Sequence, residues 1–126
     1  MSWRTGTGPI RVTAVIRAGW AGALLLAPES GTSAPHRAAL STVEDTVVTL
    51  AFTGRPARAL PNAFLTAHDT AAPLGYPAVH HLTRPMRKAA TAAGEPEYIN
   101  LWAGAGYRSA RPEPAGVIMR GLTAAL

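Results

Sequence analysis

Apolar and polar positions divide this chain into short segments. Residues 46–52 (Thr-Val-Val-Thr-Leu-Ala-Phe) hold the richest β-branched and aromatic run, which predicts a strand. Residues 10–16 are also β-branched but alternate poorly, and predict a lesser strand, whereas residues 1–9 carry no pattern. The run over 21–27 is apolar throughout, as in a strand buried on both faces, and it stops at Pro28-Glu29-Ser30-Gly31. Ser33 stands at the N-cap of a short helix that continues through His36, Arg37 and Leu40. Residues 62–68 predict a helical turn or two, and 69–75 a loop around Pro73. From 76 to 93, Val79, Leu82, Met86, Ala89 and Ala93 recur at helical spacing. Pro85 falls inside that stretch, so the pattern predicts two helices, the second capped by Thr83 and ended by Gly94. Residues 98–102 are apolar at alternate positions and lead into Ala103-Gly104-Ala105-Gly106. A last helix is predicted over 114–125, with Val117, Ile118 and Leu122 facing inward. No internal repeat or long inner linker appears.

Composition narrows this picture. At 126 residues and 48% hydrophobic content the chain suits one small domain, and with only 6% aromatics its core is expected to be thin. Twelve Lys and Arg against seven Asp and Glu give a net charge of +5, which favours anionic partners without naming one. All of those bases except Lys88 are arginine, and Arg with abundant Ala, Gly and Pro is also the product of GC-rich coding. The absence of Cys excludes disulfides and thiolate metal sites. The apolar run over 19–28 is far shorter than the roughly 20 residues of a membrane span. Arg4, Arg11 and Arg17 ahead of that run resemble a signal peptide, but they are dispersed and Pro9 interrupts them. A cytoplasmic location and no membrane partner are expected.

The clearest candidate chemistry lies in Phe52-Thr53-Gly54-Arg55-Pro56-Ala57-Arg58. Gly54 admits a positive φ and Pro56 fixes its own, so this is a tight turn carrying two guanidiniums. Arg55 and Arg58 are read either as a clamp for a phosphate or carboxylate, or as structural residues that pin the turn. Glu29-Ser30 is read either as a catalytic carboxylate or as a group satisfying free N–H donors at a helix start. His80 and His81 are adjacent, about 100° apart on a helix, and do not share a metal as an i,i+4 pair does, so no metal site is assigned. Nucleophile-elbow, Walker and dinucleotide-binding motifs are missing, as are paired carboxylates. Ala103-Gly104-Ala105-Gly106 is small enough to lie against a flat ligand or a closely packed helix.

Several segments in order resemble the C-terminal part of the nitronate monooxygenase family, formerly called 2-nitropropane dioxygenases. They are Ala23-Leu24-Leu25-Leu26-Ala27-Pro28-Glu29-Ser30-Gly31-Thr32, the arginine turn, Asn62-Ala63-Phe64, Tyr76-Pro77, Leu82-Thr83-Arg84-Pro85-Met86-Arg87 and Leu101-Trp102-Ala103-Gly104. The resemblance covers residues 21–126. It implies an α/β fold class: the end of a flavin-dependent TIM barrel with its small helical lobe, mostly helical with a few short strands. It also implies FMN as cofactor and an alkyl nitronate and O2 as substrates. By register, the family's Gln-(Met/Val)-Gly-Thr phosphate turn falls on Gly19, Trp20, Ala21 and Gly22, without its Gln and Thr. The family's Ala-Gly-Gln-Gly reads Ala103-Gly104-Ala105-Gly106. Nothing matches the upstream Gly-x-His-Arg-Gly-like segment that holds the family's catalytic His, so no catalytic residue is assigned.

A (β/α)8 barrel takes about 250 residues. Residues 1–20 are therefore expected to be non-homologous or disordered, as in a truncated or frame-shifted gene, with the N-terminal barrel supplied elsewhere. Alone, the chain is expected to be inactive, to bind FMN poorly and to self-associate through surfaces made for barrel strands. Alternatives are a fragment like the flavin-dependent enoyl-acyl carrier protein reductases, a non-enzymatic partner docking through alanine-rich helices, and a small basic nucleic-acid-binding protein. The last is disfavoured because the arginines are dispersed and the tryptophans do not interleave with them. Titration with DNA and RNA at low and moderate salt tests it: no binding is expected, and strongly salt-dependent binding would revive the nucleic-acid reading.

Overall fold

The computed structural model describes residues 23–124. The unpatterned residues 1–9, the strand predicted over 10–16 and the turn at 19–22 lie outside them. The chain divides into two compact units, Ser33–Ala105 and the pair of segments Met1–Thr32 and Gly106–Leu126. The described elements are mostly helical with two short strands, as expected, and the described residues form no closed barrel.

The larger unit is built on an antiparallel hairpin of β1 (Val47–Thr49) and β2 (Ala57–Ala59), in the register Val47↔Ala59, Val48↔Arg58 and Thr49↔Ala57. Alternation is visible across it: Thr49 and Ala59 are buried, while Val48 and Arg58 are exposed. The strand predicted over 46–52 thus ends at Thr49. The Asp69 carboxylate accepts from the Thr49 hydroxyl at 2.6 Å and from the Leu50 N–H at 3.2 Å. The Thr49 hydroxyl oxygen in turn accepts from the Ala51 N–H at 3.0 Å. These donors would have continued a ladder; side chains take them instead, and the chain folds into a turn.

β2 carries too little β propensity to be seen in sequence, because Ala-Arg-Ala is poor in β-branched residues. It forms because both its edges are used. Ala59 also bridges antiparallel to Trp102, and the Leu60 N–H donates to the Leu101 carbonyl at 2.8 Å. The expected alternation over 98–102 is therefore half right: Pro96–Tyr98 is a 3-10 turn, and Ile99 and Leu101 are buried beyond it.

Behind the hairpin sits a core of Phe52, Ala59 and Leu65, with Val47, Phe64, Met86 and Trp102 packed against it. The Phe52 ring meets Phe64 at 4.9 Å and Trp102 edge-on at 5.9 Å. Pairs of this kind add about 0.5–1.5 kcal/mol beyond the area they bury. A few aromatics placed together thus offset the alanine-rich composition.

Helix α1 (Ala34–Thr42) starts after Ser33, as predicted, though the Ser33 side chain makes no capping bond. It is tied to the hairpin side by His36, whose Nε2 lies 3.0 Å from the Trp102 carbonyl. Helix α2 (Ala63–His68) is capped by Asn62, which accepts from the Leu65 N–H at 3.1 Å. The Asn62 amide also donates to the carbonyls of Pro96 at 3.0 Å and Ile99 at 2.8 Å, and Glu97 accepts the Ala63 N–H at 2.6 Å.

Helix α3 runs unbroken from Ala78 to Ala93 with Pro85 inside it, and ends at Gly94 with φ 73°. The predicted break into two helices does not occur, and Thr83 caps nothing. Proline costs a helix interior about 3 kcal/mol; tertiary contacts on either side of Pro85 outweigh that. Thr83 is buried and donates to the Phe52 carbonyl at 2.6 Å, and Met86 packs on the aromatic core.

In the smaller unit, residues 23–26 form turns rather than the predicted strand. The Ala27 N–H donates to the Leu24 carbonyl at 3.0 Å, and the Ser30 hydroxyl to that of Leu25 at 3.1 Å. An apolar run alone does not distinguish a strand from other buried segments, and no described strand pairs with this one. Helix α4 (Ala115–Ala124) buries Ile118 against Ala23 and Ala27, with Ala115 and Leu122 beside them. Val117, predicted to face inward, is exposed. Glu29 accepts the Ala115 N–H at 3.1 Å, the helix-start role that the sequence offered as one of two.

Two predictions follow from this packing. Gly54 has φ 78°, and a Cβ there would lie 2.7 Å from the Gly75 carbonyl carbon. Gly54→Ala is therefore expected to cost about 2 kcal/mol or more in urea unfolding; a loss under roughly 0.5 kcal/mol would contradict this geometry. Burial lowers the His36 pKa below 6.5, more than the Trp102 carbonyl raises it. The fold thus favours neutral His36: its contribution is complete above pH 6.5 and is lost as pH falls towards and through the folded value. Thermal midpoints measured from pH 8 to 5 should decline in acid, and His36→Gln should remove part of that slope.

Candidate functional site

The hairpin loop over 50–56 and the first turns of α3 bring together side chains far apart in sequence. The Gly75 N–H donates to the Gly54 carbonyl at 2.8 Å, and this close approach sets Arg55 beside Tyr76. The Arg55 guanidinium lies 4.6 Å above the Tyr76 ring, a cation–π contact. Tyr76 in turn lies 6.2 Å from the His80 ring, and His80 lies 5.4 Å from His81. Arg84 follows His80 by four residues, so both project from one face of α3. Arg55 and Arg84 are exposed, and Tyr76 is half exposed.

Arg87 underlies this group. Its Nη2 donates to the His80 carbonyl at 2.9 Å and lies 3.2 Å from His80 Nδ1. Its Nε donates to the Thr83 hydroxyl oxygen and its Nη1 to Asn100 Oδ1, each at 3.2 Å. Partial desolvation first, then the charges of Arg87, His81, Arg84 and Arg55, lower the His80 pKa below 6.5. The guanidiniums of Arg87, Arg84 and Arg55 thus all act on His80 in the same direction. Such a group can take up a small anion, with guanidinium forks and a tyrosine face around it.

The sequence-derived candidates fare unevenly. Gly19, Trp20, Ala21 and Gly22 lie outside the described residues. Arg55 joins the site. Arg58 sits on β2, exposed, and donates to the Thr46 hydroxyl at 3.1 Å, so each arginine has its own partner. His80 was considered only as a metal ligand, whereas its neighbours here are arginines and tyrosine. Tyr76, Arg84 and Arg87 carried no assigned role, because reading Pro85 as a break hid the common face of 80, 84 and 87. In the smaller unit a cleft of about 630 Å3 is lined by Arg108, Ser109, Arg111, Glu113 and Val117 among others. It includes its own carboxylate.

The described residues thus form a mostly helical α/β chain with a cationic and aromatic surface on α3, and comparison with known proteins assigns its family. The nitronate monooxygenase family profile matches residues 11–125. Nitronate monooxygenase from Pseudomonas aeruginosa is 37% identical over 107 residues, covering 79% of this chain and 30% of that protein. A probable nitronate monooxygenase from Staphylococcus aureus strain Newman is 40% identical over 78 residues, covering 60% of this chain and 22% of its own length. Among solved structures, nitroalkane oxidase from Streptomyces ansochromogenes superposes with a TM-score of 0.80 at 50% identity, over 83% of this chain and 31% of that one. The chain belongs to the nitronate monooxygenase family. It spans less than a third of the length of these relatives. No helix among the described residues is long and apolar enough to cross a membrane.

Proposed function

We propose that this chain takes part in the oxidation of alkyl nitronates by O2, and that its own contribution is to bind the nitronate on the Arg55–Tyr76–His80–Arg84 face. The single observation behind this is that the Arg55 guanidinium lies 4.6 Å above the Tyr76 ring, which in turn lies 6.2 Å from the His80 ring. A nitronate spreads one negative charge over two oxygens in a plane, as a carboxylate does. A guanidinium fork matches that shape bidentately, and a nearby aromatic face suits the alkyl group.

FMN is the cofactor that the family resemblance implies, and when bound it would supply the redox chemistry. The described residues do not by themselves fit it. Ala103-Gly104-Ala105-Gly106 offers small side chains only, and no described turn beside it aims several N–H groups at a phosphate. This chain's own role is anion binding and orientation.

Titrating the full chain with propane-2-nitronate in low-salt buffer, while following the Tyr76 and His80 ring resonances, tests the reading. Saturable shifts are expected, at least tenfold weaker in affinity in Arg55→Ala/Arg84→Ala and weakened by salt. The neutral nitroalkane should leave both rings unmoved. No shift at millimolar nitronate would sink the proposal. In parallel, desalting after excess FMN is expected to leave far less than one flavin per chain; stoichiometric retention would show a complete flavin site.

A further inference from the structure

The bond between Arg87 and the His80 ring decides where the imidazole proton sits. A guanidinium carries five donors and no acceptor, so the Arg87 Nη2 at 3.2 Å requires His80 Nδ1 to accept. A neutral imidazole that accepts at Nδ1 carries its proton on Nε2. Arg87 is itself held at fixed points by Thr83, Asn100 and the His80 carbonyl. It is half-buried, and swinging away would break three hydrogen bonds at once.

We propose that Arg87 is a positioning residue that locks His80 as a neutral Nε2–H donor for an anion on the Arg55–Tyr76–Arg84 face. The proposal rests on the anion-binding reading above and extends it. A protonated Nδ1 would point an N–H at the N–H of Arg87 and set two cations in contact. His81 and Arg84 on α3 and Arg55 from the hairpin loop add to that penalty, and Tyr76 faces the ring from just ahead of α3. The lowered His80 pKa has the same direction. His80 would therefore offer one hydrogen bond through its Nε2–H and would not act as a base through Nδ1.

Long-range 1H–15N correlation of the histidine rings in the 15N-labelled full chain, from pH 8 to 5, tests this. Wild-type His80 should show the single pattern of an unprotonated Nδ1 and a protonated Nε2, with a midpoint below that of an ordinary histidine. In Arg87→Met the ring should become a mixture of tautomers, with its midpoint raised towards the ordinary value and nitronate affinity reduced several-fold. A mixed or Nδ1–H ring in the wild type would overturn the proposal, and that measurement needs no variant to fold. An unchanged His80 pattern in a folded Arg87→Met chain would overturn it as well. If the wild-type pattern holds but nitronate causes no shift, the anion reading fails while the hold of Arg87 on the ring stands. If nitronate binds to a chain with a mixed His80 ring, the reverse is true.

Discussion

The bond from the Thr83 hydroxyl to the Phe52 carbonyl joins the two halves of the larger unit, and much else depends on it. Phe52 lies in a turn, so its carbonyl has no ladder partner, and it is fully buried in the aromatic core. An unpaired buried carbonyl costs about 1–3 kcal/mol; Thr83 removes that cost and fixes the rotation of α3 about its axis. The same hydroxyl oxygen then accepts from Arg87. A short chain of hydrogen bonds thus runs from the hydrophobic core to the His80 ring at the surface, and the rotation that satisfies Phe52 is also the one that presents His80 and Arg84 beside Tyr76.

This arrangement explains how α3 accommodates Pro85. A proline in a helix interior forfeits one backbone hydrogen bond and crowds the preceding turn. Here the helix is gripped two residues before the proline by Thr83 and on the residues after it by Met86 and Arg87. A free helix would bend or break at Pro85; a helix held on both sides keeps its axis. The face that results places Arg55, Tyr76 and His80 side by side.

The smaller unit shows the opposite balance. Among its described residues Ile118 packs on Ala23 and Ala27, small residues that bury little area, and the Glu29 carboxylate accepts the Ala115 N–H at the start of α4. Local turns take up the Leu-Leu-Leu run, and Leu24 is left exposed.

Local chemistry was legible in the sequence wherever a residue acts on its immediate neighbours. Asn62 as a helix start, Gly94 as a helix stop, the tight turn at Gly54 and the inward face of Ile118 follow from backbone preference and 3.6-residue periodicity alone. The order of motifs likewise pointed to the family. Other features needed partners distant in sequence. Ala57–Ala59 is a strand only because Val47–Thr49 and Trp102 take its hydrogen bonds; residues 50–52 leave their strand only because Asp69 and Thr49 capture the ladder donors. Pro85 stays within one helix because Phe52, more than thirty residues away, anchors Thr83. The site has the same origin: no local pattern joins Arg55 to Tyr76, because that contact exists only once Gly54 and Gly75 touch, and the contact of Arg87 with His80 needs α3 to run unbroken through Pro85.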